Sequence, residues 1–490
     1  MSVFGLLAKQ SATYAVATFA QRVASVVLLP LYTRYLTPAD YGVLELIATT
    51  LTVFQMLVGS RLGDALLYYF AEAESEEAKR NAVTNALAGG VALALLSVAA
   101  GLTASRPLSL LIFGSPEYDR FFLIAFLGVG LDCPGSVGFA YLRALDRARS
   151  YTVLSLLRLF VNAAAAVLFL VALRWGVAAM LWAHVTAASF TLALLVRAMA
   201  PRLTLRLDTG LLLHQMRFSL PISLAGVGLL FVHYGDRYFL QRSVSLADIG
   251  IYAVAYKLGM TVSFVVAPFH VHWHAQMYNV VRAPGGWAVY ERLLTYLLLV
   301  VVAAALTLSV FAGPILTLLA APEYASAARY VGWIAVAYVL RSLADQIKSV
   351  FNVCGKTGYH LRVALLTVAL CAICYAALIP RFGVSGAVAS TVIAFLGYLA
   401  FTFWPAQRLR RCRFEYRRMA HLCAAAALPA LVTVLWRPHH DLAQAALGAL
   451  AMGLWIVTLL GTGFFERHEL ESLRSWILQA RRSLATLSLG

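Results

Sequence analysis

Apolar runs of membrane-spanning length recur along the whole chain, and this recurrence limits the possible folds more than any other feature. A helix needs roughly 20 apolar residues to cross the hydrocarbon core of a bilayer, whereas barrel strands are shorter and alternate strictly. Fourteen such runs are separated by short polar breaks: 10–33, 41–62, 82–104, 120–142, 150–172, 176–197, 218–240, 249–274, 293–313, 328–350, 361–380, 383–405, 419–436 and 443–464. The sequence therefore predicts an all-α polytopic membrane protein with about 14 transmembrane helices.

The composition agrees with a bilayer as the main solvent. Only 12% of the 490 residues are charged and 61% are hydrophobic, whereas soluble domains carry about 25% charged residues. The net charge of +17 would suggest nucleic acid as the partner of a soluble protein. Here the basic residues lie mostly in short loops between apolar runs, so we expect no nucleic-acid partner. The first run lacks a small-residue cleavage site, so we expect it to remain as a span.

The basic residues also predict the orientation of the spans. With a cytoplasmic N-terminus, 25 of the 39 Lys and Arg residues fall in cytoplasmic segments and nine in the opposite segments. The positive-inside rule then predicts a cytoplasmic (inner) membrane protein with both termini in the cytoplasm. The densest basic loop, RLRRCRFEYRR at 408–418, is expected to contact anionic phospholipids, or to act only as a topology anchor.

The chain contains an internal repeat at an offset of 206–208 residues. YTRYLTPADYG at 32–42 resembles LQRSVSLADIG at 240–250, SPEY at 115–118 matches APEY at 321–324, and RWGV at 174–177 matches RFGV at 381–384. Six spans per repeat make the two halves parallel, related by an axis along the membrane normal. We therefore expect six-helix lobes at 1–208 and 209–418 around a central cleft. Residues 419–490 would add two helices and a cytoplasmic amphipathic tail.

The turns inside this repeat carry an acidic residue at matching positions. Asp40 and Asp248 stand just before an apolar run in the first and second half. A short acidic side chain at such a position commonly caps the following helix. We therefore expect both residues to cap helices rather than to take part in transport.

Several charged residues fall within predicted spans, where an ionised group costs about 2.5–3.5 kcal/mol unless it faces a wet cavity or a partner. Their excess of positive charge suggests an anionic substrate, and arginine suits phosphate oxygens. The alternatives are internal pairs and, near the span ends, snorkelling to the interface. The candidate substrate-binding residues are Arg22, Arg61, Arg158, Lys257 and Arg341, and the candidate polar or coupling residues are Asp64, Asp132, Asp345 and His233.

Two short motifs suggest metal or redox chemistry only superficially. The H-x-H-x-H run at 270–274 offers two ligands on one helix face but no third ligand, so we interpret it as interfacial histidines. Cys371 and Cys374 form a C-x-x-C inside a span, where small packing residues are expected. No nucleotide-binding motif occurs in a usable context. We therefore expect no cofactor and no metal, with any uphill transport driven by a gradient of H+ or Na+, by the membrane potential or by downstream consumption of the substrate.

Three stretches carry a resemblance to a known family. LAKQSATYAVATFAQRVASVVLLPLYTRYLTPADYGVLELI, PISLAGVGLLFVHYGDRYFLQRSVSLADIGIYAVAYKLG and YASAARYVGWIAVAYVLRSLADQIKSVFN resemble Wzx-type polysaccharide flippases. These belong to the multidrug/oligosaccharidyl-lipid/polysaccharide (MOP) exporter superfamily, and the resemblance covers about residues 1–410. It implies two lobes around a cationic cleft that translocates polyprenyl-diphosphate-linked oligosaccharide for O-antigen, capsule or exopolysaccharide synthesis. Polysaccharide polymerase and chain-length machinery would be its protein partners.

Three other functions remain open. A lipid II flippase of the same superfamily would share the diphosphate chemistry. A MATE-like drug/cation antiporter would need a cleft dominated by acidic residues, whereas basic residues dominate here. A membrane glycan polymerase or ligase usually carries a large periplasmic loop, and the longest outer loop, about 105–119, is short. We therefore expect a transporter rather than an enzyme.

Overall fold

The computed structural model describes residues 19–58, 62–204, 207–435, 441–466 and 469, and the regular structure within them is helical throughout. Residues 19–27 are helical and lead into the first half of the chain. Its helices are α1 (Leu29–Tyr35), α2 (Pro38–Val58), α3 (Leu62–Glu72), α4 (Glu76–Phe113), α5 (Asp119–Ala144), α6 (Ala148–Val167, continued by a π-helical turn at Leu168–Ala172) and α7 (Val177–Met199).

The second half repeats this pattern with more breaks. Its helices are α8 (Thr209–Tyr234), α9 (Asp236–Gln241), α10 (Leu246–Gly259), α11 (Val262–Arg282), α12 (Gly286–Val310), α13 (Ala312–Leu319), α14 (Ala328–Ile347), α15 (Ser349–Val353) and α16 (Gly358–Leu409). Two helices follow, α17 (Tyr416–Leu435) and α18 (Asp441–Gly461).

The polytopic prediction is confirmed. Eight helical segments of the described residues are long and apolar enough to cross a membrane, and the 52-residue α16 contains two predicted spans joined at a bend. Each of the fourteen predicted spans overlaps a helical segment. Several spans consist of two helices, because breaks between α8 and α9, or α10 and α11, divide one apolar run.

Asp40 and Asp248 take part in the helix starts, but as the third residue of each helix, and the capping side chains are those of Thr37 and Ser245. The Thr37 hydroxyl accepts from the Asp40 N–H at 3.2 Å, and the Asp40 carboxylate accepts from the Thr37 N–H at 3.1 Å. The Ser245 hydroxyl likewise accepts from the Asp248 N–H at 3.2 Å. Both sites satisfy backbone donors that a helix start leaves free. Helices α2 and α10 therefore begin in the same way in the two halves.

The repeat is also visible in the backbone of the RWGV and RFGV turns. Gly176 has φ 57° and ψ −132°, and Gly383 has φ 55° and ψ −129°. Non-glycine residues adopt such positive φ angles only with strain. The two glycines therefore allow the same turn at equivalent positions, before α7 and within α16.

The two halves cross closely where α2 packs against α10. A Cβ on Gly42 would overlap the carbonyl oxygen of Leu246, and a Cβ on Gly250 would overlap that of Pro38. Glycine is thus required at both repeat positions for this approach. We call the end of the bundle that contains Gly42 and Gly250 the outer end, after the orientation that the basic loops predict, and the opposite end the inner end.

Packing between the halves is concentrated at the outer end. A large apolar cluster that runs through the second half includes first-half residues of α1 and α2 and joins them to α10, α12 and α14. A separate cluster, which includes Leu62, Phe70 and Val83, lies in the inner part of the first half alone. Helix α3 packs on α4 and α5, whereas α11 packs on α12 and α14. The continuations of the two crossing helices therefore diverge toward the inner end.

Helix α8 connects the two halves. Near its start the Gln215 side-chain amide donates to the Ala82 carbonyl at 3.2 Å, and the helix packs on α3 and α4. Near its end the Tyr375 hydroxyl donates to the Val232 carbonyl at 3.0 Å. Helix α8 thus begins against the first half and ends within the second.

The two additional helices are attached to α12 by apolar packing and by an ionic cluster at the inner end. Arg418 contacts Glu469 at 2.9 Å and Glu415 at 3.2 Å, and the Tyr296 hydroxyl donates to Glu469. Burial alone would raise the pKa of Glu469, but the hydrogen bonds from Tyr296 and Arg418 bring its pKa below the ordinary value. Glu469 therefore remains ionised and fastens the end of the described chain.

Candidate functional site

A cluster of charged residues lies on one face of α14 in the second half. The Asp345 carboxylate accepts from Lys348 Nζ at 3.0 Å and from the Tyr398 hydroxyl at 2.8 Å. Arg341 Nε lies 3.5 Å from the same carboxylate. These residues form one surface because positions three and four apart share a helix face. With two cations and one carboxylate, the α14 cluster carries one net positive charge.

The α14 cluster is only partly buried. Its three charged side chains are 28–31% exposed. Exposure of these charges to lipid would be costly, and near the end of a span they can reach the interface or a polar space between the halves. The cluster lies in the inner part of α14, where the two halves diverge. His270 of α11 is close enough to interact electrostatically with its charged groups. The predicted residues Arg341 and Asp345 are thus brought together, and Lys348 joins them.

Arg22 adds a further cation from the first half. Its guanidinium lies 5.5 Å from the centre of the Phe264 ring, at the start of α11. No carboxylate of the described residues lies within 4.0 Å of it. Because His270 lies on the same helix, Arg22 and the α14 cluster both border α11.

Asp132 and Arg158 form an internal pair in the first half. Arg158 donates to one Asp132 oxygen, and His184 Nε2 lies 3.0 Å from the other. The Asp132 side chain is 12% exposed. The Gly128 position gives room to the His184 ring, because a Cβ there would lie only 2.7 Å from it. Arg158 is therefore neutralised by a partner. His184, which the sequence analysis did not single out, completes the triad.

Two further predicted residues lie near the inner end. Asp64 is in the first turn of α3 and is half-buried. Arg61 lies outside the described residues, so the alternative that it pairs with Asp64 rather than facing a cleft is untested. The role of both residues in a cleft likewise remains a prediction.

At the outer end, polar contacts tie the two halves together around the glycine crossing. Lys257, predicted for the cleft, donates to the Tyr41 hydroxyl at 2.9 Å. Further contacts join Tyr238 to Thr50 at 3.1 Å, the Tyr324 hydroxyl to the Leu36 carbonyl at 3.0 Å, and Arg237 Nε to Glu45 at 3.0 Å.

Arg237 is the most deeply buried cation of this set. Its side chain is 1% exposed, and it contacts Asp236 at 2.8 Å and the His233 carbonyl at 2.9 Å as well as Glu45. The rings of Tyr234, Tyr252 and Tyr256 surround the guanidinium at 4.5–5.4 Å. Arg237 lies at the end of the predicted span 218–240 and was counted with the nine basic residues of the outer segments, not among the candidate site residues. The available signal was its position in the DRYFLQ stretch, directly after an acidic residue.

Aromatic residues connect Arg237 to the α14 cluster. Arg341 lies 5.6 Å from the Tyr338 ring, the Tyr338 hydroxyl is 3.3 Å from that of Tyr256, and Arg237 lies 4.5 Å from the Tyr256 ring. The His233 ring packs against Phe395, 6.0 Å away, beside this column. His233, predicted as a coupling residue, therefore lies between the two cationic groups.

The histidine and cysteine motifs form no recognisable metal site. The His270 and His274 rings stack at 6.4 Å. Across the described residues no three potential metal ligands come together. Cys371 and Cys374 are both buried as free thiols.

Comparison with solved structures identifies the fold. The lipid II flippase MurJ in an inward closed conformation matches with a TM-score of 0.74 at 12% identity, covering 91% of this chain and 98% of that one. An inward-facing multidrug resistance MATE family transporter of the MOP superfamily matches with a TM-score of 0.64 at 15% identity, covering 80% and 94%. A MOP superfamily transporter from Pyrococcus furiosus matches with a TM-score of 0.53 at 15% identity, covering 82% and 95%.

These matches confirm the predicted all-α fold, whose long apolar helices suit a multi-pass membrane protein. No curated protein sequence matches the chain. The model of the polysaccharide biosynthesis protein family matches residues 7–272, more than half of the chain. The chain therefore belongs to the polysaccharide biosynthesis protein family.

Proposed function

We propose that this protein is a Wzx-type flippase that moves polyprenyl-diphosphate-linked oligosaccharide across the cytoplasmic membrane for surface polysaccharide synthesis. The observation that carries the proposal is the α14 cluster. It has a net positive charge and partial exposure within a span, near the end where the two halves diverge. Family membership supports a role in polysaccharide synthesis.

The chemistry of the cluster suits a diphosphate. Arg341 offers a planar fork of donors and Lys348 offers a point charge, and both are already oriented by Asp345. Asp345 also limits the net charge of the cluster, so an anion binds weakly enough to be released again. Transport requires such reversible binding. Arg22 adds a cation beside α11. The glycan would occupy the polar space between the halves, and the polyprenyl tail would stay in lipid.

The proposed transport cycle is alternating access. The contacts at the outer end and the divergence toward the inner end favour a state that loads from the cytoplasm. This interpretation requires both termini in the cytoplasm. A fluorescent protein fused to the C-terminus would be bright in that orientation, whereas an alkaline phosphatase fusion at the same site would be active in the reverse one.

The first experiment measures surface glycan in a strain that depends on this chain. Arg341→Ala and Lys348→Ala are each expected to reduce surface glycan at least tenfold, because a charged hydrogen bond contributes about 1.5–3 kcal/mol. Arg341→Lys should retain part of the activity. The control is Arg329→Ala, an exposed arginine at the outer start of the same helix. Normal glycan in both cluster variants, at normal membrane levels, would reject the site.

The remaining functions are distinguished by complementation. Growth of a strain depleted of its own lipid II flippase would favour the lipid II alternative. Drug resistance conferred by the wild-type chain, without an effect on surface glycan, would favour the antiporter. Dependence of glycan export on a proton or a sodium gradient would identify the coupling ion.

The contacts of the basic loop at 408–418 favour a position at the membrane interface. Arg408 lies 5.2 Å from the Trp404 ring and Arg410 lies 5.0 Å from the Trp287 ring. Arginine and tryptophan together are typical of the headgroup region. We propose anionic phospholipids as the partner of this loop, and polysaccharide polymerase and chain-length machinery as protein partners of the whole transporter. Co-purification with those proteins would test the second proposal.

A further inference from the structure

The outer end contains a buried cation with two carboxylate partners of different origin. Arg237 contacts Asp236, which precedes it in its own helix, and Glu45, which belongs to α2 of the other half. Asp236 is as deeply buried as Arg237, at 1% exposure, whereas the Glu45 side chain is 21% exposed. The two carboxylates therefore differ in their access to water and in the half that carries them.

Asp236 and the aromatic residues around Arg237 all belong to the second half. The Tyr252 hydroxyl donates to Asp236, and the rings of Tyr252 and Tyr256 on α10 flank the guanidinium. Helix α9 itself packs mainly on α16. Any movement that separates the halves at the outer end would leave these contacts in place and would remove Glu45.

We propose that Arg237 locks the outer end through two carboxylates. While the halves are closed, Arg237 is paired with both Glu45 and Asp236. When the halves separate at the outer end, it loses Glu45 and stays paired with Asp236. The proposal rests on the proposed function only in requiring that the outer end opens.

The physical basis is the cost of a buried charge without a partner. A buried guanidinium that loses its only carboxylate partner raises the free energy of the protein strongly. A lock with a single acidic partner could therefore not open readily. Asp236 removes that penalty, because Arg237 remains paired within its own half. Glu45 is already partly exposed, and it would enter the water that fills the opening. Lys257 gives up only a neutral partner, the Tyr41 hydroxyl.

The proposal predicts opposite effects for the two carboxylates. Glu45→Gln removes the partner that is present only in the closed state, so the population of the open state should increase. Asp236→Asn removes the partner on which the open state depends, so the population of the closed state should increase. A charged hydrogen bond changes such a ratio by about tenfold or more.

Pulsed electron spin resonance measures the ratio directly. Spin labels replace Arg34 and Arg242, which are exposed at equivalent positions of the repeat at the outer end, in a chain whose six native cysteines are changed to alanine. Glu45→Gln should increase the population with a long distance, and Asp236→Asn should decrease it. Glu76→Gln is the matched control, because Glu76 pairs with Arg202 at the inner end within the first half.

Several outcomes would overturn the lock. These are an unchanged distance in Glu45→Gln, a shift in the same direction in both variants, or an equal shift in Glu76→Gln. If the Asp236→Asn protein does not accumulate in the membrane, the Glu45 variants alone test the lock. Glu45→Gln and Glu45→Asp, whose side chain is shorter, must then both lengthen the distance between the two spin labels. The measurement needs no lipid-linked substrate. Failure of the lock is thus separate from failure of the proposed function, which would appear as a wild-type chain that exports no glycan.

Discussion

At the scale of single residues, the charges within the spans have different roles despite their similar appearance in the sequence. Arg158 is matched one-to-one by Asp132, whereas Arg341 and Lys348 share Asp345 between them. A matched pair contributes to folding and carries no net attraction for an anion. An unmatched cation attracts one. The α14 cluster is therefore the better substrate candidate, and the Asp132 pair is the better structural one.

The Asp132 pair gives a prediction that separates these roles. Arg158→Gln and Asp132→Asn should each lower the thermal unfolding temperature, because Asp132→Asn leaves Arg158 without a carboxylate and Arg158→Gln leaves Asp132 with only the His184 ring. Removing one partner of a buried pair costs about 3–5 kcal/mol, and we expect the lower end because Arg158 is a quarter exposed.

The double variant tests the coupling. With both side chains neutral, unfolding temperature and surface glycan should recover toward those of the wild type, because no charge is left alone. Additive losses in the double variant, or lost export at normal stability, would instead indicate that Arg158 acts on the substrate.

At the scale of helices, the sequence predicted the spans well and the contacts between them poorly. Hydrophobic run length determines where a span lies, so all fourteen predicted spans overlap helices. Breaks such as that between α10 and α11 leave the apolar run intact and were not foreseen. Arg237 was not chosen as a candidate because a charge at a span end normally reaches the interface. Its burial depends on Glu45, which lies almost 200 residues earlier and which no local pattern connects to it.

The crossing of α2 and α10 gives a prediction at the same scale. Gly42→Ala and Gly250→Ala should each loosen the outer end, because the added Cβ overlaps a backbone carbonyl of the facing helix. We expect a lower unfolding temperature and faster labelling of a cysteine introduced at Thr33, which is buried at the outer end.

The matched control is Gly453→Ala in α18, where a Cβ meets no atom within 4 Å. It should be neutral or slightly stabilising, since alanine favours helices over glycine by roughly 1 kcal/mol. Equal behaviour of all three variants would show that the crossing does not depend on the glycines.

The attachment of α17 and α18 gives a prediction about pH. The pKa of Glu469 is lowered by its partners, so its contribution to stability is present above the ordinary glutamate value of 4.5 and is lost as the pH falls through the lowered value. Glu469→Gln should therefore reduce the unfolding temperature at pH 7 by roughly 2 °C. Below pH 4.5 the difference from the wild type should shrink and then disappear. A difference that persists unchanged in acid would contradict the role of the ionised carboxylate.

At the scale of the whole molecule, the two halves contact each other mainly at the outer end, and the start of α8 adds a contact with the first half at the inner end. Each half has contacts of its own that do not cross the interface, such as the Asp132 triad in the first half and the Tyr375–Val232 hydrogen bond in the second. The contacts between them gather around the glycine crossing. Opening at the outer end is then expected to move the halves as units rather than to bend single helices.

Four exposed arginines at the outer end allow this expectation to be measured. Arg34 and Arg174 belong to the first half, and their repeat counterparts Arg242 and Arg381 belong to the second. In the Glu45→Gln variant, the distances Arg34–Arg242 and Arg174–Arg381 should both shift toward longer values, while Arg34–Arg174 stays fixed. A rigid-body movement leaves every distance within a half unchanged, and it changes distances across the interface between labels that lie away from the hinge axis. If only Arg34–Arg242 changed, the opening would be a local bend of the segments next to α2 and α10.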